Sequence, residues 1–169
     1  MSGKIRLSKS SISQAEKEAV LNVLSKEYLG MGEEVNIFEN KIKDYLQTEM
    51  DVVCVNTGTS ALHLSLSALD IKEGDEVLVP SLTYVASFQA ISAAGAKPVP
   101  CEVNPDTLFL DAEDARKKIT ENTKAIMPVH YASSSKGMNS VYELAADYKL
   151  RVVEDAAQAF GCKRDGKLI

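Results

Sequence analysis

The sequence predicts an α/β protein with a mostly parallel sheet, three layers deep, with helices on both faces. Three observations carry the prediction. Short Val/Ile-rich runs alternate with helical stretches of about ten residues along most of the chain. The runs are largely apolar rather than strictly alternating, as in strands covered on both faces. Pro80, Pro98, Pro100 and Pro105 fall at segment edges, where a missing N–H is tolerated.

The elements follow in order. Residues Ser11 to Ser25 read as an amphipathic helix, with Ala15, Ala19, Leu21 and Leu24 near helical spacing. Glu33 to Leu46 reads as a second, on Val35, Phe38, Ile42 and Leu46, and Gly30-Met31-Gly32 is the flexible connection between them. Val52–Val55 is then expected as a strand and Ser60–Leu69 as a helix. Strands at Glu76–Val79, Lys97–Cys101, Ala125–Val129 and Arg151–Glu154 alternate with helices at Tyr84–Ala93, Ala112–Ile119 and Val141–Tyr148. There is no internal repeat and no low-complexity segment.

Composition narrows the function classes. At 169 residues the chain can bury a real core. Its 45% hydrophobic and 25% charged residues are ordinary for a globular protein. The net charge of −5 and the absence of a basic stripe argue against nucleic acid as a partner. The apolar runs are too short to cross a bilayer, and Met-Ser-Gly-Lys-Ile-Arg is not a secretory leader. Three cysteines form no CxxC pair, so a reduced, cytoplasmic protein is expected. Cys54 and Cys101, in expected strands, read as buried thiols. No metal site is expected.

Two strand tips carry the chemistry. Val152 to Gly161 reads Val-Val-Glu-Asp-Ala-Ala-Gln-Ala-Phe-Gly: a buried strand that presents Asp155 at its C-terminal end, where open α/β sheets bind ligands. Asn56 to His63 reads Asn-Thr-Gly-Thr-Ser-Ala-Leu-His. There Gly58 allows a tight turn, and Thr59 and Ser60 open a helix whose free N–H groups can hold a phosphate; plain N-capping is the alternative. An anion cradle and a carboxylate at neighbouring tips suit a ligand with a phosphate at one end and a cationic nitrogen at the other. Pyridoxal phosphate is such a ligand. Tyr84, after Pro80-Ser81-Leu82-Thr83, either leans over that ligand or packs in the helix–sheet core. Asp155 either faces a ring nitrogen, keeping the ring protonated, or caps the next helix. Gln158 shares its face if the segment turns helical. His130 is either an acid/base group or a structural histidine at a strand tip.

At these residues the chain resembles the DegT family of fold-type I, pyridoxal-phosphate-dependent sugar aminotransferases. The matching segments are Asn56–His63, Gly74–Tyr84, Gly95-Ala96-Lys97-Pro98-Val99, Thr123–Tyr131 and Val153–Gly161. The resemblance implies that Gly58, Thr59 and Ser60 bind the cofactor phosphate and that Tyr84 stacks on the pyridine ring. It implies that Asp155 pairs with the ring nitrogen and that Gln158 contacts the ring hydroxyl. It also implies that Leu29, Gly30, Met31, Gly32, His130 and Tyr131 lie near the substrate. Ser133-Ser134 stand where relatives often have a glycine, so the local loop shape departs from the family pattern.

The resemblance further implies a homodimer and transfer of an amino group from an amino acid, with glutamate expected, to the keto group of a nucleotide-linked deoxysugar. The family's Schiff-base lysine falls beyond Ile169, and neither Lys163 nor Lys167 is assigned its role. The chain is therefore expected to be the N-terminal part of the cofactor-binding large domain. The remaining strands and the small C-terminal domain would be absent, Val52–Val55 would lack neighbours, and the chain alone would be inactive. Three other readings stay open: a sugar dehydratase of the same family, with histidine in place of that lysine; a non-catalytic amino-sugar sensor; and a nucleotide-binding α/β module without pyridoxal phosphate, for which the Gly-rich fingerprint is missing.

Overall fold

The computed structural model describes residues 9–169. The chain divides into two compact units, residues 1–52 and 53–169. The described part of the first unit holds two helices. Helix α1, Gln14–Ser25, starts at a capping box: the Ser13 hydroxyl accepts the Ala15 N–H, and the Glu16 carboxylate accepts the Ser13 N–H at 2.6 Å. This box places the start later than the apolar spacing suggested. Helix α2, Glu33–Leu46, matches its expected span and ends on Gln47 in the left-handed conformation.

The second unit carries the sheet. Its elements are α3 (Gly58–Ala68), β1 (Glu76–Pro80), α4 (Val85–Ala93), β2 (Lys97–Cys101), α5 (Ala112–Lys118), β3 (Thr123–Ile126), α6 (Met138–Tyr148) and β4 (Arg151–Val152). The four strands lie in the order β2-β1-β3-β4 and every pairing is parallel. Strand alternation then sorts the core into two layers. Val77 and Val79 of β1, with Ala125 and Met127, pack against Leu62 and Leu66 of α3 and Ala90 and Ile91 of α4. Leu78 and Ile126 face the other way, onto Ala115 of α5 and Met138, Val141, Leu144 and Ala145 of α6. This is the expected three-layer α/β architecture.

Three features depart from the sequence reading. Residues 52–55 join no ladder among the described residues. Val53 is 74% exposed, and Cys54 is only partly covered rather than buried. A strand persists only beside a partner that takes its N–H and C=O groups, and neither edge strand of the sheet, β2 or β4, pairs with this segment. Cys101, by contrast, is buried as expected, and burial pushes its thiol up to about 11. Second, β3 and β4 are shorter than their apolar runs, although a further parallel bridge joins Val129 to Asp155 beyond them. Third, a hairpin of β5 (Lys163–Arg164) and β6 (Lys167–Leu168) turns through Asp165 and Gly166, both at positive φ. An Asp-Gly pair is a strong hairpin signal.

Candidate functional site

The Val129–Asp155 bridge builds the site. The His130 N–H donates to Asp155 O at 3.0 Å, and the Asp155 N–H donates to Pro128 O at 2.9 Å. These bonds extend the parallel pairing past the named ends of β3 and β4. Alternation then separates the two consecutive acids: Asp155 turns toward α4 and Glu154 toward α6.

Asp155 lines a cavity of about 200 Å³, below the roughly 300–1,000 Å³ usual for drug-sized ligands and so suited to a compact ring. Gly58, Thr59 and Leu62 of α3 form one wall, Thr83, Tyr84 and Ala86 another, and Val129, Tyr131, Ala157 and Gln158 the remainder. Asp155 is only 7% exposed. Its Oδ2 accepts the Ser87 hydroxyl at 2.9 Å and its Oδ1 accepts the Ala157 N–H at 3.2 Å. The segment after Asp155 forms turns rather than a helix, so it caps no helix there.

The N-terminus of α3 faces this cavity through Gly58 and Thr59. Thr57 is its cap: Thr57 Oγ1 accepts the Ser60 N–H at 3.0 Å, and Thr57 O accepts the Ala61 N–H. The Gly58 and Thr59 amides therefore remain as first-turn donors with no acceptor among the described residues. Ser60 is not in the lining; its hydroxyl donates to Asn56 Oδ1 at 2.9 Å and accepts from Thr57. At Gly58 a Cβ would meet no heavy atom within 4 Å, so the protein's own packing does not call for glycine at this point of the wall.

Tyr84 is the N-cap position of α4, one residue before the helix, and its side chain is 77% exposed. The structure thus rules out core packing for this ring and sets it at the cavity edge. Gln158 reaches the cavity from a turn. Its Oε1 accepts the Ala132 N–H at 2.8 Å, which fixes the amide orientation and leaves Nε2 without an acceptor among the described residues. Ser133 Oγ donates to Gln158 O. Ala132 and Ser133, beside the departure from the family pattern, both sit in the left-handed region at φ 49° and 66°, a conformation that disfavours side-chain-bearing residues.

His130 is placed differently from its neighbour Tyr131. Its side chain is 0% exposed and lies outside the cavity lining. Nε2 meets Glu154 Oε2 at 2.6 Å and Nδ1 meets Ser134 O at 3.1 Å. Tyr142 of α6 donates to the other Glu154 oxygen, and the Arg164 guanidinium lies 4.6 Å from the centre of the Tyr142 ring. The His130 bond holds the Glu154 carboxyl below its ordinary value despite burial, while burial and then the Glu154 contact push the Tyr142 phenol up. Leu29, Gly30, Met31 and Gly32 belong to the first unit, where they connect α1 to α2.

Thr83 and Ser87 were not singled out from sequence. Their signal was the four-residue spacing across the start of α4, where Thr83 sits just before the Tyr84 cap and its Oγ1 lies 2.7 Å from Ser87 Oγ.

The donor set fits pyridoxal phosphate. Free N-terminal amides offer a phosphate site, an exposed ring offers a stacking face, and a buried carboxylate offers a partner for a cationic nitrogen. No lysine lines the cavity among the described residues, and Lys163 and Lys167 are exposed on the β5–β6 hairpin.

The chain is 41% identical over 160 residues to GDP-perosamine synthase of Escherichia coli O157:H7, covering 94% of this chain and 44% of that protein. It is 43% identical over 151 residues to dTDP-3-amino-3,4,6-trideoxy-alpha-D-glucose transaminase of Streptomyces venezuelae, covering 89% and 40%. It superposes on the crystal structure of S. venezuelae DesV with a TM-score of 0.86 at 41% identity, over 92% of this chain and 42% of that one. On Bacillus subtilis NtdA, solved with bound cofactor PMP, the TM-score is 0.84 at 33% identity, over 92% and 36%. The fold is therefore that of the fold-type I aminotransferases, and the chain spans less than half the length of these relatives. The profile of the DegT/DnrJ/EryC1/StrS aminotransferases matches residues 10–169, and the chain belongs to that family.

Proposed function

We propose that the protein carrying this chain is a pyridoxal-phosphate-dependent aminotransferase. It would transfer an amino group from an amino acid, glutamate first among those to test, to the keto carbon of a nucleotide-linked deoxysugar. The observation that carries the reading is the single cavity shared by the buried Asp155 carboxylate and the open N-terminus of α3.

When bound, pyridoxal phosphate supplies an electron sink for the carbanion that amino transfer requires. The chain's own residues would do the rest. The Gly58 and Thr59 amides, with the positive end of α3, would bind the phosphate. The Asp155 carboxylate would hold a proton on the ring nitrogen and keep the ring cationic. Tyr84 would cover the ring face and exclude water. Gln158 would donate from Nε2 to the ring hydroxyl. The amine that moves the substrate proton has to come from outside the described cavity lining, because no lysine is there.

The GDP- and dTDP-linked sugars in the names of its relatives define the substrates to try. Exposed apolar side chains on the two N-terminal helices, among them Leu21, Leu24 and Phe38, support a homodimer as the working unit. Three cysteines that form no disulfide among the described residues suit a reducing, cytoplasmic setting.

The test is incubation of the complete protein with pyridoxal phosphate, glutamate and keto sugars linked to GDP or dTDP. An aminated sugar nucleotide, formed with equimolar 2-oxoglutarate, is the expected product. A sugar that loses a hydroxyl without gaining nitrogen would make the protein a dehydratase. Cofactor binding with no turnover of any sugar would make it a sensor.

A further inference from the structure

We propose that Ser87 is a positioning residue for the candidate site: its hydroxyl, oriented by Thr83, holds the Asp155 carboxylate in one rotamer with its remaining lone pairs toward the cavity. The inference rests on the cofactor reading above and names a residue that reading does not require.

Ser87 uses its hydroxyl unusually for a helical serine. A serine within a helix commonly bonds the carbonyl four residues back. Ser65 and Ser67 of α3 do this, donating to Ala61 O at 2.8 Å and His63 O at 3.0 Å. Ser87 in α4 does not. Its hydroxyl crosses to Asp155 Oδ2 at 2.9 Å, a partner 68 positions away in sequence. Ser87 is fully buried against the sheet, at a position where alanine would avoid burying a hydroxyl.

The direction of the relay follows from donor arithmetic. An ionised carboxylate only accepts, and a hydroxyl has a single hydrogen to give. Ser87 therefore gives its hydrogen to Asp155, and Thr83 Oγ1, 2.7 Å from Ser87 Oγ, donates to Ser87. Thr83 lines the cavity and Ser87 lies behind it. The relay thus fastens one carboxylate oxygen from the α4 side, while the Ala157 N–H holds the other. Without Ser87, one oxygen of a nearly buried carboxylate loses its partner, and the group can turn away from the ring nitrogen it would face.

The test uses the complete protein and three variants: Ser87→Ala, Ser87→Thr and Thr83→Val. Pyridoxal phosphate affinity is measured by titration, the absorption band of the bound cofactor is recorded, and melting without cofactor reports the fold. Ser87→Ala is expected to raise the cofactor dissociation constant about ten-fold, as for loss of a hydrogen bond to a charged group, and to move the absorption band. Ser87→Thr, which keeps the hydroxyl, should restore both. Thr83→Val, nearly isosteric, should shift both in the same direction by less. Should Ser87→Ala fail to fold, Thr83→Val alone carries the test. Wild-type affinity and an unmoved band in Ser87→Ala, or in Thr83→Val where it stands alone, would overturn the proposal. A wild-type protein that takes up no pyridoxal phosphate would instead overturn the cofactor reading on which it rests.

Discussion

Replacing Gly58 with alanine separates what the fold needs from what the ligand needs. Gly58 is the first residue of α3 and does not lie in the left-handed region. A Cβ there would meet no heavy atom within 4 Å. The folded chain should accept alanine without strain, and the unfolded chain loses freedom, so Gly58→Ala should stabilise by about 0.4–1 kcal/mol. For a chain of this size that is a rise in melting temperature of roughly 1–4 °C. The same methyl group would project at the wall where a phosphate has to approach the Gly58 and Thr59 amides. We expect pyridoxal phosphate to bind at least ten-fold more weakly, about 1.4 kcal/mol. Thermal melts without cofactor and absorbance titrations with it give the two numbers. Wild-type affinity in the variant would refute the phosphate cradle. A loss of more than about 1 kcal/mol of stability would refute the claim that the space beside Gly58 is open.

In the complete protein, Asp155→Asn should lower the amino-transfer rate by orders of magnitude, because a neutral amide cannot hold the ring nitrogen protonated; a wild-type rate would remove Asp155 from the mechanism. Residues 1–169 expressed alone should turn over no sugar, and intact mass after borohydride treatment with pyridoxal phosphate should show no stoichiometric adduct. Stability should also fall at low pH through Glu154. Its folded carboxyl is held below its ordinary value by His130, so its contribution is present above the unfolded carboxylate range near 4.3 and is lost as pH drops through the folded value. Glu154→Gln should therefore cost about 1–3 kcal/mol at neutral pH and flatten the acid side of the stability profile; urea melts from pH 3 to 7 would show an unchanged profile if the pairing is unimportant.

Much of this protein is legible in its sequence because local signals and the global fold agree. The apolar runs at Glu76–Val79 and Lys97–Cys101 became β1 and β2 with little change, since both find parallel partners. The run at Val52–Val55 is at least as apolar but joins no ladder among the described residues. Its periodicity is local information, whereas a ladder needs a second chain segment beside it. The Asp165-Gly166 hairpin was also written in the sequence, in a dipeptide that the apolar pattern did not highlight.

The site divides along the same line. Residue order alone determined that a helix opens just after the Gly58 turn, expected from Ser60 and found from Gly58, and that Asp155 ends a buried run. It could not determine which way Tyr84, His130 and Gln158 face, because each stands beside the end of an element or in a turn, where a small backbone rotation moves a side chain from core to solvent. Tertiary structure decided that Tyr84 is exposed at the cavity edge, that His130 is buried on Glu154, and that Ser87 reaches Asp155. These are contacts between segments tens of residues apart, chosen when the helices dock on the sheet. Strand alternation then does what composition cannot: it turns Glu154 and Asp155, adjacent in the chain, to opposite faces, one toward the α6 side chains and the other toward the cavity.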